Sequence, residues 1–211
     1  MKLTPKGQAT RQRILEGAAG YLRGTDPGAA TLDDVLAVTR TSKGQLFHYF
    51  PGGKEELLLA VARHEADRVL TDQEPHLSAL DSWESWWAWR DAVLQRYRAQ
   101  GRHCPLGALM DQVSSTAGAS EVVTELLDQW QRRVRDGVLT MQAKGLVSPG
   151  LDPAVVAGAF VAGIQGGVQV LRATGSTDQL QAVLDLLLDH LRTGPAPAGP
   201  DRAPDRQATP R

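Results

Sequence analysis

A chain of 211 residues with 42% hydrophobic and 22% charged side chains can bury a core, and its formal net charge of −1 argues against indiscriminate polyanion binding. No run approaches the roughly 18 uninterrupted apolar residues of a membrane span, and no apolar signal-like segment follows the polar, basic opening from Met1 to Thr10. One cysteine, Cys104, excludes an intrachain disulfide framework and matches a reducing compartment, so the expected location is cytoplasmic, without membrane association.

Charge is unevenly placed. Residues 1–63 hold nine Lys or Arg against six Asp or Glu, while the remainder holds 14 against 18. A basic head on an acidic body suits a protein whose head alone meets phosphates.

Apolar residues recur at three- and four-residue spacing, and no alternating β-branched run bounded by turn residues is present. The expected fold class is all-α: a three-helix head plus a larger helical bundle, about nine helices in total. The first helix is predicted from about Gln8 to Arg23, with Ile14, Leu15, Ala18, Ala19 and Leu22 inward, ended by the turn cluster Gly24-Thr25-Asp26-Pro27-Gly28. Thr31 offers an N-cap to a short helix from Leu32 to Val38, with Asp34 in its first turn. Ser42 caps another from Lys43 to Tyr49, which Phe50-Pro51-Gly52-Gly53 stops. A longer helix then runs from Lys54 to about Leu70. Further helices are predicted over Trp83 to Gln100, Leu106 to Thr116, Glu121 to Lys144, Pro153 to Ala173 and Asp178 to Arg192. The tail from Thr193 holds five prolines among mixed charges and is expected to be disordered. The predicted division is a head over 1–53, a body over 54–192 and a tail over 193–211.

Two short helices joined by a tight turn and packed on a longer one follow the helix-turn-helix plan. The second short helix must bring its backbone close to a duplex, which asks for small or polar residues at its start. Thr41, Ser42, Lys43, Gly44 and Gln45 supply them. Hydroxyls and N-terminal amides suit phosphate oxygens, Lys43 adds charge, and Gln45 can pair with an adenine edge in the major groove. Leu46, Phe47 and Phe50 are expected to anchor this helix from behind. Lys54 opens the next helix, where a cation opposes the macrodipole, and this favours an anionic partner beside it.

Arg13-Ile14-Leu15 with Ala18-Ala19, then Thr31-Leu-Asp-Asp-Val-Leu36, then Thr41-Ser-Lys-Gly-Gln-Leu-Phe-His-Tyr-Phe-Pro-Gly-Gly-Lys-Glu-Glu-Leu57, resembles the TetR family of repressors. Order and spacing agree over roughly residues 8–60. The resemblance implies an operator-binding head in which Thr31, Thr41, Ser42, Lys43, Gln45, His48, Tyr49 and Lys54 face DNA. Three features depart from the family pattern. Phe47 stands where a phosphate-binding tyrosine is frequent, Tyr49 stands where histidine is more usual, and Gly52-Gly53 lengthens the link by one residue.

The helix beginning at Trp83 carries Trp83, Trp86, Trp87 and Trp89, four of the five tryptophans. By the three/four rule Trp83, Trp86 and Trp87 share a face and Trp89 points elsewhere. With Met110, Trp130 and Phe160 from facing helices, they are expected to wall a pocket for a small hydrophobic effector, as bundle pockets are largely apolar. The other reading is that these rings fill the core. His103-Cys104-Pro105-Leu106-Gly107 resembles a segment in one branch of the same family, whose members respond to antibiotics and plant-type aromatic compounds, so Cys104 joins the ligand-binding set. Its place before a helix also opens the way to a lowered thiol pKa and redox sensing; a plain buried cysteine is the alternative.

Leu180, Val183, Leu184, Leu187, Leu188 and Leu191 give the final helix a wide apolar face, and Gly158, Ala162, Gly163, Gly166 and Gly167 permit close approach on the helix before it. A homodimer interface containing Gly163, Gly167, Leu184, Leu187, Leu188 and Leu191 is expected around a two-fold axis; the alternative is that both faces meet within one chain. A dimer would present two heads to half-sites about 34–36 Å apart, or a multiple of that.

The five histidines are scattered, and none pairs with a cysteine or acid at metal-ligand spacing, so no metal or other cofactor is expected. Nucleophile elbows and phosphate loops are absent from the sequence. The chain reads as a non-enzyme: a ligand-responsive homodimeric repressor that binds double-stranded operator DNA and is released by a small apolar or aromatic effector. Two alternatives use the same residues, a helical small-molecule-binding dimer without operator binding and an activator with the same head.

Overall fold

A computed structural model describes residues 4–24, 30–112 and 115–194. Residues 25–28 of the predicted turn cluster, and the tail beyond 194, lie outside the described residues. Among the described residues there are nine α-helices and no strands: α1 Pro5–Leu22, α2 Leu32–Thr39, α3 Lys43–Tyr49, α4 Gly53–Thr71, α5 Trp83–Gln100, α6 Pro105–Gln112, α7 Ala119–Ala143, α8 Pro153–Thr174 and α9 Asp178–Thr193. Single 3₁₀ turns at His76–Ser78 and Gly101–His103 flank α5. The largest departure from the predicted bounds is α6, which ends at Gln112, short of Thr116.

Caps set most of the helix starts. Thr31, Ser42 and Ser82 each accept from the backbone N–H three residues on, and the residue there returns a side-chain bond to the cap. Asp152 accepts from the Ala154 and Val155 amides ahead of Pro153, the position where proline's missing N–H costs nothing.

Two apolar clusters organise the chain. The first joins Ile14, Leu15, Ala18, Ala19 and Leu22 of α1 to Val35, Leu46 and Phe50, and takes in Leu57, Leu58 and Val61 of α4. The second begins at Ala62, one residue further along α4, and runs through α5 to α9. Helix α4 therefore serves both cores, its first two turns closing the head and its remainder entering the body.

Helix α8 is the spine of the body, packed against α6, α7 and α9. Its contact with α9 is close. A Cβ on Gly167 would stand 2.7 Å from Leu180 Cα, and one on Gly163 would stand 2.9 Å from Val183 Cγ2. Leu184, Leu188 and Leu191 are fully buried by this packing and Leu187 half-buried. Of the residues predicted at a dimer interface, Gly163 and Gly167 thus meet Val183, Leu187 and Leu180 of the same chain, and Leu184, Leu188 and Leu191 are buried in its core. The period of the leucines is that of any helix seam, and it does not say which helix lies opposite. The apolar positions left uncovered are Val155, 68% exposed, and Leu186, 69% exposed, together with the exposed Ala162, Gly166 and Ala182. Along the most apolar 18-residue stretch of α8, only 44% is buried within the chain.

Head and body meet through charge as well as apolar contact. Arg23, at the end of α1, donates from Nε and Nη2 to both carboxylate oxygens of Glu65 on α4, at 3.1 and 2.9 Å. The Glu65 side chain is fully buried and that of Arg23 is 20% exposed. Beside them, a Cβ on Gly24 would touch the His103 ring at 3.7 Å, in the turn that leads into α6. A buried ion pair adds little net stability over an apolar pair, but removing one partner strands a charge. Arg23→Met should therefore lower unfolding free energy by roughly 3–5 kcal/mol in urea titrations, and Arg23→Met with Glu65→Met should recover most of the loss. A loss in the double variant equal to the sum of the two single losses would mean that the two groups are not coupled.

Candidate functional site

The head presents α3 outward. Leu46 and Phe50, four residues apart and so on one face, are fully buried against α1 and α4. Ser42, Lys43, Gly44, Gln45 and His48 are exposed, and Tyr49 and Lys54 are half-buried. A Cβ on Gly44 would meet nothing within 4 Å, so its bare backbone faces open space. His48 and Tyr49 meet edge to face, with ring centroids 4.8 Å apart.

Two sequence expectations change here, at Phe47 and Thr41. Phe47 does not anchor α3 from behind: it lies a hundred degrees round from Leu46 and is 41% exposed. Its ring rests on Gly53, where φ is +66° and a Cβ would approach Phe47 Cε1 to 3.2 Å. The longer link thus closes on an exposed aromatic ring. Thr41 is buried, its hydroxyl donating to the Thr39 carbonyl at 3.2 Å, so its side chain braces the turn inside the head. Thr31 is exposed, but its hydroxyl donates to Asp34 Oδ2 at 2.6 Å while accepting from the Asp34 amide. That bond, more than any other contact, holds the Asp34 carboxyl below its ordinary range.

The turn between α2 and α3 holds a cation that sequence reading passed over. Arg40 caps α2 in the left-handed region, at φ 49° and ψ 48°, a conformation that glycine takes more easily. The Thr41 amide donates back to Leu36 O at 3.0 Å, closing the turn, while the Arg40 side chain stays exposed. Arg13 of α1 donates to the Thr39 carbonyl from the other side, and the Arg11 guanidinium lies 4.9 Å above the Phe50 ring. Gln45 Oε1 accepts from the Ser42 amide at 3.3 Å, a long bond that leaves the Gln45 NH₂ pointing outward to donate.

In the body, the aromatic residues divide differently from the predicted faces. Trp86 and Trp89 are both fully buried, in edge contact at 5.7 Å, and each meets Phe160 of α8, at 5.4 and 5.7 Å. Trp83 packs at the margin of this cluster, and Trp87 is 37% exposed with the Arg90 guanidinium 6.0 Å over its ring. The buried row is Trp86, Trp89, Val93, Leu94 and Tyr97. Trp89 belongs to it and Trp87 does not, because α8 lies opposite the side that carries 86 and 89. Trp130 is fully buried on α7 and Met110 half-buried on α6.

Polar groups in this interior fall into two kinds. Trp89 Nε1 donates to Gln73 Oε1 at 3.0 Å. Trp86 Nε1, Trp130 Nε1, both amide atoms of Gln112 and the Thr116 hydroxyl are buried with no hydrogen-bond partner. Cys104 is buried, and its sulfur accepts from the Gly107 amide at 3.3 Å at the start of α6. Burial pushes the thiol up, against the smaller pull of that bond and of Arg172. Of the two readings of Cys104, a thiol held protonated in this way fits the plain buried cysteine. A groove of about 200 Å³ opens between α4 and α7, floored by Ala66, Leu70, Val122 and Leu126 and rimmed by Arg63, Asp67, Glu125 and Gln129.

Comparison with known proteins agrees with this architecture. Residues 83–187 match the tetracyclin repressor-like C-terminal domain family. An HTH-type transcriptional regulator from Lactococcus lactis is 25% identical over 186 residues, covering 84% of this chain and 91% of that one. The HTH-type transcriptional repressor AcnR of Corynebacterium efficiens is 42% identical over 60 residues, covering 28% of this chain and 31% of its own. A TetR transcriptional regulator from Chloroflexus aurantiacus shares the fold, with a TM-score of 0.76, 23% identity and coverage of 89% of this chain and 96% of that one. An exposed reading helix on a three-helix head, joined through α4 to a body that matches the repressor C-terminal domain, has one consistent identity: the chain belongs to the TetR family of DNA-binding transcriptional regulators.

Proposed function

We propose that this chain is a homodimeric repressor that holds an operator through paired α3 helices and releases it when a small, largely aromatic effector occupies the body. The observation that carries the reading is the one-sidedness of α3. Its apolar residues Leu46 and Phe50 are fully buried, and Ser42, Lys43, Gly44, Gln45 and His48 are exposed on a helix whose N-terminal amides point outward. In this reading Lys43, Arg40 and Lys54 meet phosphates, Gln45 donates to a base edge, and Tyr49 and His48 flank the groove. The Thr41 hydroxyl braces the head from within, and the Thr31 hydroxyl caps α2 at its surface. The head is taken as residues 1–53, closed by the first turns of α4, and the body as 54–192.

Dimerisation in this proposal uses the uncovered face of α8 and α9. Val155, Ala162, Gly166, Ala182 and Leu186 combine small residues, which let helices approach, with two exposed apolar side chains. Two copies related by a two-fold axis would bury both sets in a four-helix contact. An effector acts only through its differential affinity for the DNA-spaced and released arrangements of the heads. Arg23–Glu65, joining α1 to α4, lies on the route between them.

The direct test is a mobility-shift titration of the dimer with the DNA upstream of its own gene; absence of any shift at low salt would remove the repressor reading. Lys43→Ala should weaken binding to all sequences and lower the salt slope by about one; an unchanged slope would refute a phosphate role. Gly44→Ala should raise stability by about 0.5–1 kcal/mol, as alanine does inside a helix, while weakening operator binding; tighter binding would show that the backbone there stays clear of DNA. Leu186→Glu should give a monomer in sedimentation velocity with helix content unchanged, and a persistent dimer would place the interface elsewhere.

A further inference from the structure

Among the described residues, Trp86 Nε1 and Arg96 Nε on α5 are buried without a partner, and the other such side chains lie on α6, on α7 and between them. Gln112 lies at the end of α6, and Thr116 lies in the short connection to α7. Their backbones are satisfied, with the Thr116 amide donating to Gln112 O at 2.9 Å and the Ala119 amide to Thr116 O at 3.1 Å. Their side chains, buried to 0% and 6% exposure, bond to nothing. Trp130 sits on α7 with its N–H equally orphaned. Both α6 and α7 pack on α4. Val122 and Leu126, on the floor of the α4–α7 groove, stand two turns and one turn before Trp130 on the same face of α7. On α7 the groove is lined as far as Gln129, and Trp130, the next residue, lies buried on the face that carries Val122 and Leu126.

Buried polar groups left without partners are rare in native proteins, because each keeps its desolvation penalty with nothing to offset it. Purely structural packing would favour Leu for Gln112 and Phe for Trp130. The chemistry of the orphans specifies what satisfies them. An indole N–H only donates, so it needs an acceptor; a primary amide offers a donor and an acceptor together on one edge. Gln112, Thr116 and Trp130 carry no charge, and a charged ligand buried among them would be uncompensated.

Resting on the reading of the body as an effector chamber, we propose that the effector is a neutral, flat ring compound bearing a hydrogen-bond donor and acceptor side by side, as in a lactam or a hydroxy-carbonyl edge. Gln112 takes that edge, Trp130 Nε1 donates to a ring-borne oxygen, and the α4–α7 groove is the way in. This revises the purely hydrophobic effector expected from the tryptophan content alone.

The test uses three bicyclic probes of nearly equal size in equilibrium dialysis against the full-length dimer: 2-quinolone with donor and acceptor, coumarin with acceptor only, and naphthalene with neither. The expected order of affinity is 2-quinolone, coumarin, naphthalene, with about tenfold between the first and last, the equivalent of one well-made buried hydrogen bond. Gln112→Leu should abolish the 2-quinolone advantage over coumarin and leave the ligand-free Tm equal or higher, since an orphaned amide has been removed. Trp130→Phe should abolish the advantage of coumarin over naphthalene. Equal binding of all three probes overturns polar anchoring and leaves the chamber reading standing, whereas retention of none at saturation overturns the chamber itself. A lower Tm in Gln112→Leu, or a 2-quinolone preference that survives it, shows that Gln112 already has a partner such as buried water and overturns its role.

Discussion

One carboxylate joins the two halves of this molecule. Glu65 is buried on α4 with both oxygens bonded by Arg23 from the end of α1. Each group is costly to bury alone, so the geometry that satisfies both is strongly preferred over arrangements that part them. Because Arg23 closes the helix that underlies α2 and α3, the direction of α4 in the body and the posture of the reading helix are held by the same contact. The His103 ring, in the turn that starts α6, lies near enough to Gly24 that a side chain there would touch it.

The head itself is rigid by local means. Reciprocal capping at Thr31 and Ser42, the left-handed Arg40 turn and the bond from Arg13 to Thr39 O hold α2 and α3 at a fixed angle without a large core. What remains outward is short and polar except for Phe47. Where a hydroxyl-bearing ring is frequent in the family, this chain places an apolar ring on the exposed face, supported by Gly53. In the proposed complex an apolar ring at this position offers a phosphate no hydrogen bond.

The aromatic residues of the body share one apolar cluster but differ in their polar bonding. Trp86, Trp89 and Phe160 pack on one another where α5 meets α8, and Trp89 has its N–H satisfied by Gln73. Around Gln112, Thr116 and Trp130 the polar atoms are left open. The first arrangement supports helix positions, with Trp86 Nε1 unpartnered within it; the second is where the proposed effector would complete the bonding. Paired ions such as Arg90–Asp185, bonded twice at 2.8 and 2.9 Å, tie α5 to α9 at the periphery and contribute register more than stability.

Much was legible without coordinates, for identifiable reasons. Helix starts follow caps and prolines that act within four residues, so α3 and α5 were placed to the residue and α2, α8 and α9 to one residue. The reading helix was legible because its small and polar start is a property of adjacent residues. Whatever depended on the element opposite was not. Leu184 and Leu188 look the same whether α8 of one chain or α9 of another lies across from them, Phe47 differs from Leu46 only by a rotation of the helix, and Trp89 replaces Trp87 in the core because of where α8 runs. Gln112 and Thr116 carry no sequence signal at all. Their significance arises because burial removes water from groups that have no other partner, and burial is a property of the assembled helices. Local chemistry thus determined which segments are helices and which end of α3 is bare; only tertiary packing decided which faces are covered and which polar atoms were left unsatisfied.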